Sequence, residues 1–176
     1  LLNQIRRGVT GATAEIGVHH GKSYIPLCLA LQENEKSYCI DLFDDQIQNI
    51  DRSGEGDHKK FTDNLGRFGC KSDTIVIVKG SSLDITAQSI VDAVGRVRFF
   101  SVDGGHWYNI VKNDLDIALG CVGNDYVIAL DDFLHKEWPE VTTGFLDWYR
   151  ENSEQVAPLA ISDGKIYLTS KALVDT

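Results

Sequence analysis

The chain has 176 residues, of which 43% are hydrophobic and 24% charged, the balance of one globular domain long enough to bury a full core. A formal net charge of −9 disfavours a nucleic-acid surface, which needs a basic footprint. No apolar run approaches the length of about eighteen residues that a membrane span requires, and no signal peptide opens the chain, so a cytoplasmic protein without nucleic-acid or membrane partners is expected.

Cys28, Cys39, Cys70 and Cys121 form no C-x-x-C pair and read as reduced core residues with no zinc site. The chain starts at Leu1 and contains no methionine, which reads as a trimmed fragment. A short apolar approach, Ala12 to Ala14, leads into Glu15-Ile16-Gly17-Val18-His19-His20-Gly21-Lys22-Ser23 and then a helix-like run from Tyr24 to Leu31. A strand that ends in an acid, turns on two glycines and opens a helix builds a nucleotide-sized pocket. Gly17 lets the backbone bend, Gly21 lets a ligand approach, and the free N–H groups at the helix start point toward it. The spacing departs from G-x-G-x-x-G, because Val18-His19 replaces the middle glycine. A ligand with a carboxylate and an amine suits this turn better than a pyrophosphate.

Ser37 to Ile40 is a second strand closed by Asp41, placed where an acid holds ribose hydroxyls. The polar stretch Asp44 to Gly56 reads as a mobile loop above it. Asp57 then caps a helix with Phe61, Leu65 and Phe68 on one stripe. Thr74 to Val78 is a third, buried strand followed by Lys79-Gly80-Ser81-Ser82, and a helix carrying Ile90 and Val94 leads to a fourth strand, Val97 to Val102, closed by Asp103. After His106 comes a helix with Ile110, Val111, Leu115 and Leu119, which Gly120 should stop. Tyr126 to Leu130 is the fifth strand, closed by Asp131 and Asp132. A helix from Pro139 to about Asn152 follows, and then Val156 to Ile161 and Lys165 to Thr169 flank the hairpin signal Ser162-Asp163-Gly164. Alternating strands and helices imply a parallel sheet covered on both faces, with the strand-end acids facing one crevice.

These motifs, E-I-G-V-H-H-G-K-S at 15–23, I-D-L-F at 40–43, K-G-S-S at 79–82, V-D-G-G-H at 102–106 and L-D-D-F at 130–133, together with the closing hairpin, resemble the class I S-adenosylmethionine-dependent methyltransferases over the whole of residues 1–176. The similarity is greatest to the methyltransferase-24-like small-molecule O-methyltransferases, which include sugar O-methyltransferases. The resemblance implies one α/β domain with a Rossmann-like, doubly wound, seven-stranded sheet, mostly parallel with an antiparallel C-terminal hairpin strand. It also implies that Glu15 and Gly17, with Gly21 and Ser23 in the same turn, bind the methionine end of the cofactor, the acid reaching its ammonium. Asp41 would take the ribose, and Ser81 and Ser82 would sit beside the adenine.

Asp103, Asp131 and Asp132 are expected to share a divalent cation such as Mg2+, since clustered carboxylates otherwise repel; the alternative is that Asp131 and Asp132 cap the following turn while Asp103 faces the cofactor sulfonium. His106, three residues past Asp103, is the candidate base for an acceptor hydroxyl. Trp107, Trp138 and Trp148 are candidates for an acceptor pocket or for the core. The expected partner is a small-molecule acceptor, and a homo-oligomer is compatible with the sequence. Two other readings stand beside this one. Tyr108 and Lys112 have the Y-x-x-x-K spacing of an NAD-dependent short-chain oxidoreductase. A non-catalytic cofactor-binding domain would keep the fold and leave the acids idle.

Overall fold

The computed structural model describes residues 1–50 and 52–174; residue 51, within the expected 44–56 loop, lies outside the described residues. A short helix α1 (Leu2–Arg6) precedes β1 (Ala12–Ile16), α2 (Tyr24–Leu29), β2 (Ser37–Asp41), α3 (His58–Arg67) and β3 (Ile75–Lys79). Then come α4 (Ala87–Val94), β4 (Val97–Val102), α5 (Tyr108–Cys121), β5 (Val122–Leu130), α6 (Pro139–Asn152), β6 (Val156–Ser162), β7 (Lys165–Ser170) and α7 (Lys171–Val174).

Among the described residues the strands form one seven-stranded sheet in the order β3-β2-β1-β4-β5-β7-β6. The first five are parallel, while β7 runs antiparallel to both β5 and β6. Each parallel strand is buried from two sides because successive side chains alternate between faces. Tyr38 and Ile40 join the core under α4, α5 and α6, whereas Cys39 between them joins the core under α2 and α3. Phe99 and Phe100 divide in the same way. Each fully buried aromatic or aliphatic side chain here is worth about 1.5–3 kcal/mol relative to exposure.

Several boundaries differ from expectation. β3 is half-buried rather than buried, because it is the edge of the sheet. Phe68 caps the end of α3 and is 56% exposed, so only Phe61 and Leu65 hold that helix down. Gly120 does not stop α5, which runs to Cys121 and passes directly into β5. A Cβ at Gly120 would lie 2.7 Å from the Ala87 Cβ, so glycine serves the close approach of α4. The expected Asp57 cap is present, its side chain accepting from the Lys60 N–H at 2.9 Å. The closing hairpin turns on Asp163 and Gly164, at φ 47° and 77°, as a two-residue turn with two left-handed positions requires.

Strand order reverses between β1 and β4, the switch point at which open α/β sheets bind ligands. The backbones there are too close for any side chain on residue 17. A Cβ on Gly17, which has φ +82°, would overlap the Asp103 carbonyl. Glycine is therefore needed by the protein itself, before any ligand is considered. No helix among the described residues is long and apolar enough to cross a membrane.

Candidate active site

A crevice of about 740 Å³ opens over the carboxyl ends of β1, β2, β4 and β5. The sheet ladder continues past the strand ends and sets its floor, with Gly17 N–H donating to Ile40 O, Asp103 N–H to Ile16 O and Asp131 N–H to Val102 O, each at 2.9 Å. Gly17, Ser23, Asp41, Ser81, Ser82, Asp103, His106, Asp131 and Asp132 all line it, so nine residues expected from sequence converge.

Glu15 and Gly21 do not line the crevice. Gly21 has φ +91°, and its open face is filled by Ile25 and Phe61, so its glycine serves the turn and its packing rather than a ligand's approach. The helix behind it, α2, has only six residues, so it contributes little dipole. Glu15 is fully buried beneath the floor. One of its oxygens accepts from the Ser101 hydroxyl at 3.1 Å, and the other has no hydrogen-bond partner among the described residues. Burial pushes its carboxyl up to about 7, against the opposing Ser23 and Ser101 hydroxyls.

Because the folded state holds that proton more tightly, Glu15 contributes stability that is present below the ordinary carboxylate range and is lost as pH rises through about 7. Replacement by glutamine is therefore expected to flatten the fall in stability between about pH 4.5 and 7, measured as the urea midpoint. An unchanged slope in that window would mean that Glu15 is charged throughout.

Asp41 ties two loops together. It accepts from the His19 N–H at 2.7 Å and from the Phe43 N–H at 2.5 Å, which clamps the glycine turn to the segment after β2. That segment folds over the crevice. Gln46 donates to Phe43 O, Asn49 donates to Ser53 O and Gly54 O, and Gln48, Asn49 and Ile50 line the cavity from above. At the far end the Ser81 hydroxyl accepts from the Leu83 N–H, and Ser82 O accepts from Asn113 on α5.

The acid end is divided into two groups. Asp103, His106 and Asp132 offer ligand atoms that all lie within 4.8 Å of one another. Asp131 is not among these three but adjoins Asp103; one of its oxygens pairs with Lys165 and the other accepts from the Asp132 N–H at 3.0 Å. Of the expected Asp103–Asp131–Asp132 set, Asp103 and Asp132 come together with His106, while Asp131 adjoins Asp103 and pairs with Lys165. The backbone explains the split. Asp132 adopts φ +55°, a left-handed conformation that aspartate tolerates, so its side chain departs from the direction of Asp131.

The His106 Nε2 lies 2.8 Å from Asp132 Oδ2, and the imidazole stacks on Trp138 with centroids 4.3 Å apart. That bond holds the Asp132 carboxyl below the usual carboxylate range. Asp103 is driven the other way, first by burial and then by the charge of Asp131. Trp107 and Trp138 line the crevice, whereas Trp148 is fully buried and donates to Asp116, which makes it a core residue.

Tyr108 and Lys112 face away from the crevice. The Tyr108 hydroxyl donates to Asp147 at 3.1 Å and the Lys112 ammonium to Glu151 at 2.9 Å, both on α6. Nothing of the short-chain oxidoreductase reading is left at the site. Lys165 was not anticipated from sequence. Its only sequence signal was its position directly after the hairpin turn.

A methyltransferase domain description matches residues 14–133. No curated protein matches the chain. Among solved structures it is similar to the O-methyltransferase NovP, with 14% identity over 96% of this chain and 75% of that one and a TM-score of 0.78. It is also similar to the O-methyltransferase TomG from Streptomyces achromogenes, involved in tomaymycin synthesis and solved in complex with S-adenosylmethionine (16% identity, 95% and 74% coverage, TM-score 0.70). A third similar structure is CalS11, a TDP-rhamnose 3′-O-methyltransferase (14% identity, 96% and 77% coverage, TM-score 0.66). At these identities the likeness is one of fold.

Proposed function

The chain belongs to the methyltransferase domain family, the class I S-adenosylmethionine-dependent methyltransferases, and we propose that it methylates an oxygen of a small molecule, with a sugar or polyol hydroxyl as the acceptor. The observation that carries this reading is the His106–Asp132 pair, placed in the same crevice as Asp41 and the Gly17 turn. A base and a donor site then share one cavity. The likeness to CalS11, which acts on TDP-rhamnose, supports the sugar.

The residues present suit S-adenosylmethionine. Asp41 has oxygens at the crevice wall for ribose hydroxyls, and Ser81 and Ser82 line the same wall where the adenine would lie. When bound, the cofactor supplies an electrophilic methyl group. The rest is the work of this chain's own side chains. His106 takes the acceptor's proton, and Asp132 orients the imidazole and stabilises its charged form. Trp138 stacks on the ring and restricts its rotation. Gln48, Asn49 and Ile50 line the crevice on the side of the segment after β2. Holding donor and acceptor in line accounts for much of the acceleration in such transfers.

A divalent cation also fits the donor set. Asp103, Asp132 and His106 would hold it, and the crowding of Asp103 by Asp131 is the kind of repulsion a cation relieves. When bound, it supplies Lewis-acid polarisation of an acceptor oxygen. His106 belongs to both arrangements, and its present bond to Asp132 favours the proton-accepting role.

Calorimetry with S-adenosylmethionine and with NAD, each with and without Mg2+, tests the reading; binding of NAD alone would overturn it. Asp41→Ala should weaken S-adenosylmethionine binding by about 1.5–3 kcal/mol, the usual worth of a hydrogen bond to a charged group. Asp41→Asn, which keeps an acceptor for one of the two loop N–H groups, should lose less. Equal affinity in all three folded proteins would place the ribose elsewhere.

A further inference from the structure

Lys165 stands at the acid end of the crevice with no role in the reading above. It lines the cavity, and its side chain is 28% exposed. The hairpin delivers it there. Leu130 of β5 pairs with Ile166 of β7, so antiparallel register sets Asp131 directly across from Lys165. The Asp163-Gly164 turn places Lys165 at the very start of β7, because a two-residue turn leaves no slack between Ser162 and Lys165. Burial works against the ammonium, yet Asp131, then Asp103 and Glu15, hold its pKa above the ordinary lysine value. It is a standing positive charge among three acids.

We propose that Lys165 is the built-in counter-cation of this crevice: by engaging Asp131 it keeps that carboxylate out of the group that can hold a divalent ion and so sets a weak affinity for one. This rests on the reading that the acid end accepts a cation. The ammonium occupies a carboxylate that would otherwise be a third oxygen ligand. Lys165 is a positioning residue here, acting through Asp131.

The test is calorimetric titration of Mg2+, and separately Mn2+, into the chain and into Lys165→Met, Lys165→Gln and Lys165→Arg. Circular dichroism would establish that each variant is folded. Both neutral variants should bind the ion more tightly, on the order of tenfold to a hundredfold, the range over which contacts outside the ligand set tune a metal site. Lys165→Arg, which keeps the charge, should resemble the parent. The gain should vanish in Lys165→Met combined with Asp131→Asn, because the freed carboxylate is its source. If the parent binds the ion and the neutral variants bind it no more tightly, the inference is wrong while the cation reading stands. A gain that survives in the double variant would also overturn it, since Asp131 would not be the cause. If no protein in the series binds either ion, the cation reading falls and the inference falls with it.

Discussion

Replacing His106 by alanine is expected to lower kcat about 10²–10⁴-fold, the range for loss of a general base, while leaving S-adenosylmethionine affinity nearly unchanged. The asymmetry follows from position. His106 stands with Asp132 and Trp138 at the acid end of the crevice, on the other side of the floor from Asp41 and the Ser81-Ser82 turn. With a sugar bearing vicinal hydroxyls as acceptor, the variant should regain activity at high pH, where hydroxide replaces the missing base. Asp132→Asn should show a smaller loss, since it removes the carboxylate that orients the ring but leaves the ring. Unchanged turnover in folded His106→Ala would assign the proton to another group.

The largest expected effect on stability lies at the opposite end of the sheet. Arg98 and Glu35, with side chains 1% and 6% exposed, form a two-point pair: Arg98 Nε donates to Glu35 Oε1 at 3.1 Å and Nη2 to Oε2 at 2.9 Å. Glu35 also accepts from the N–H groups of Gly11 and Gln32, and Arg98 donates to Gly11 O and Ala30 O. The network thereby ties the entrance of β1, the end of α2 and the start of β4. Arg98→Met should cost about 3–5 kcal/mol in urea denaturation, because it strands a buried carboxylate. Pairing it with Glu35→Leu should recover much of the loss, since two apolar side chains leave no charge unpaired. Burial opposes the Glu35 charge, but Arg98 and the two N–H groups outweigh it and hold the carboxyl below its ordinary value. Its contribution is therefore present above the usual carboxylate range and is lost as pH falls through the lowered value. A small cost for Arg98→Met alone would show that water reaches Glu35.

The alternation of strands and helices was legible in the sequence, and so was the place of the acids. Asp41, Asp103, Asp131 and Asp132 each follow an apolar run, and in a parallel sheet every such run ends at the same edge. The Asp57 cap and the Asp163-Gly164 turn were legible because their chemistry is local. Glycine was less legible. Gly17, Gly21 and Gly120 look alike in sequence, yet one clears the Asp103 backbone, one makes a turn packed by Ile25 and Phe61, and one admits Ala87. Each reason lies on a distant segment.

What the sequence by itself determined is therefore the class of fold and the crevice edge toward which the acids point, since both follow from periodicity and from turn chemistry within a few residues. Which acid meets which partner was decided only by tertiary structure. Asp131 and Asp132 are adjacent in the chain, yet a left-handed φ and a cross-strand register send one to His106 and the other to Lys165. Glu15 lies one residue before the end of β1 and Asp41 at the end of β2, but Glu15 is under the floor with one oxygen unsatisfied. Electrostatic partnership falls off over a few ångströms, and contacts between residues as far apart as Asp131 and Lys165 are made by the order of the strands, which no local pattern encodes.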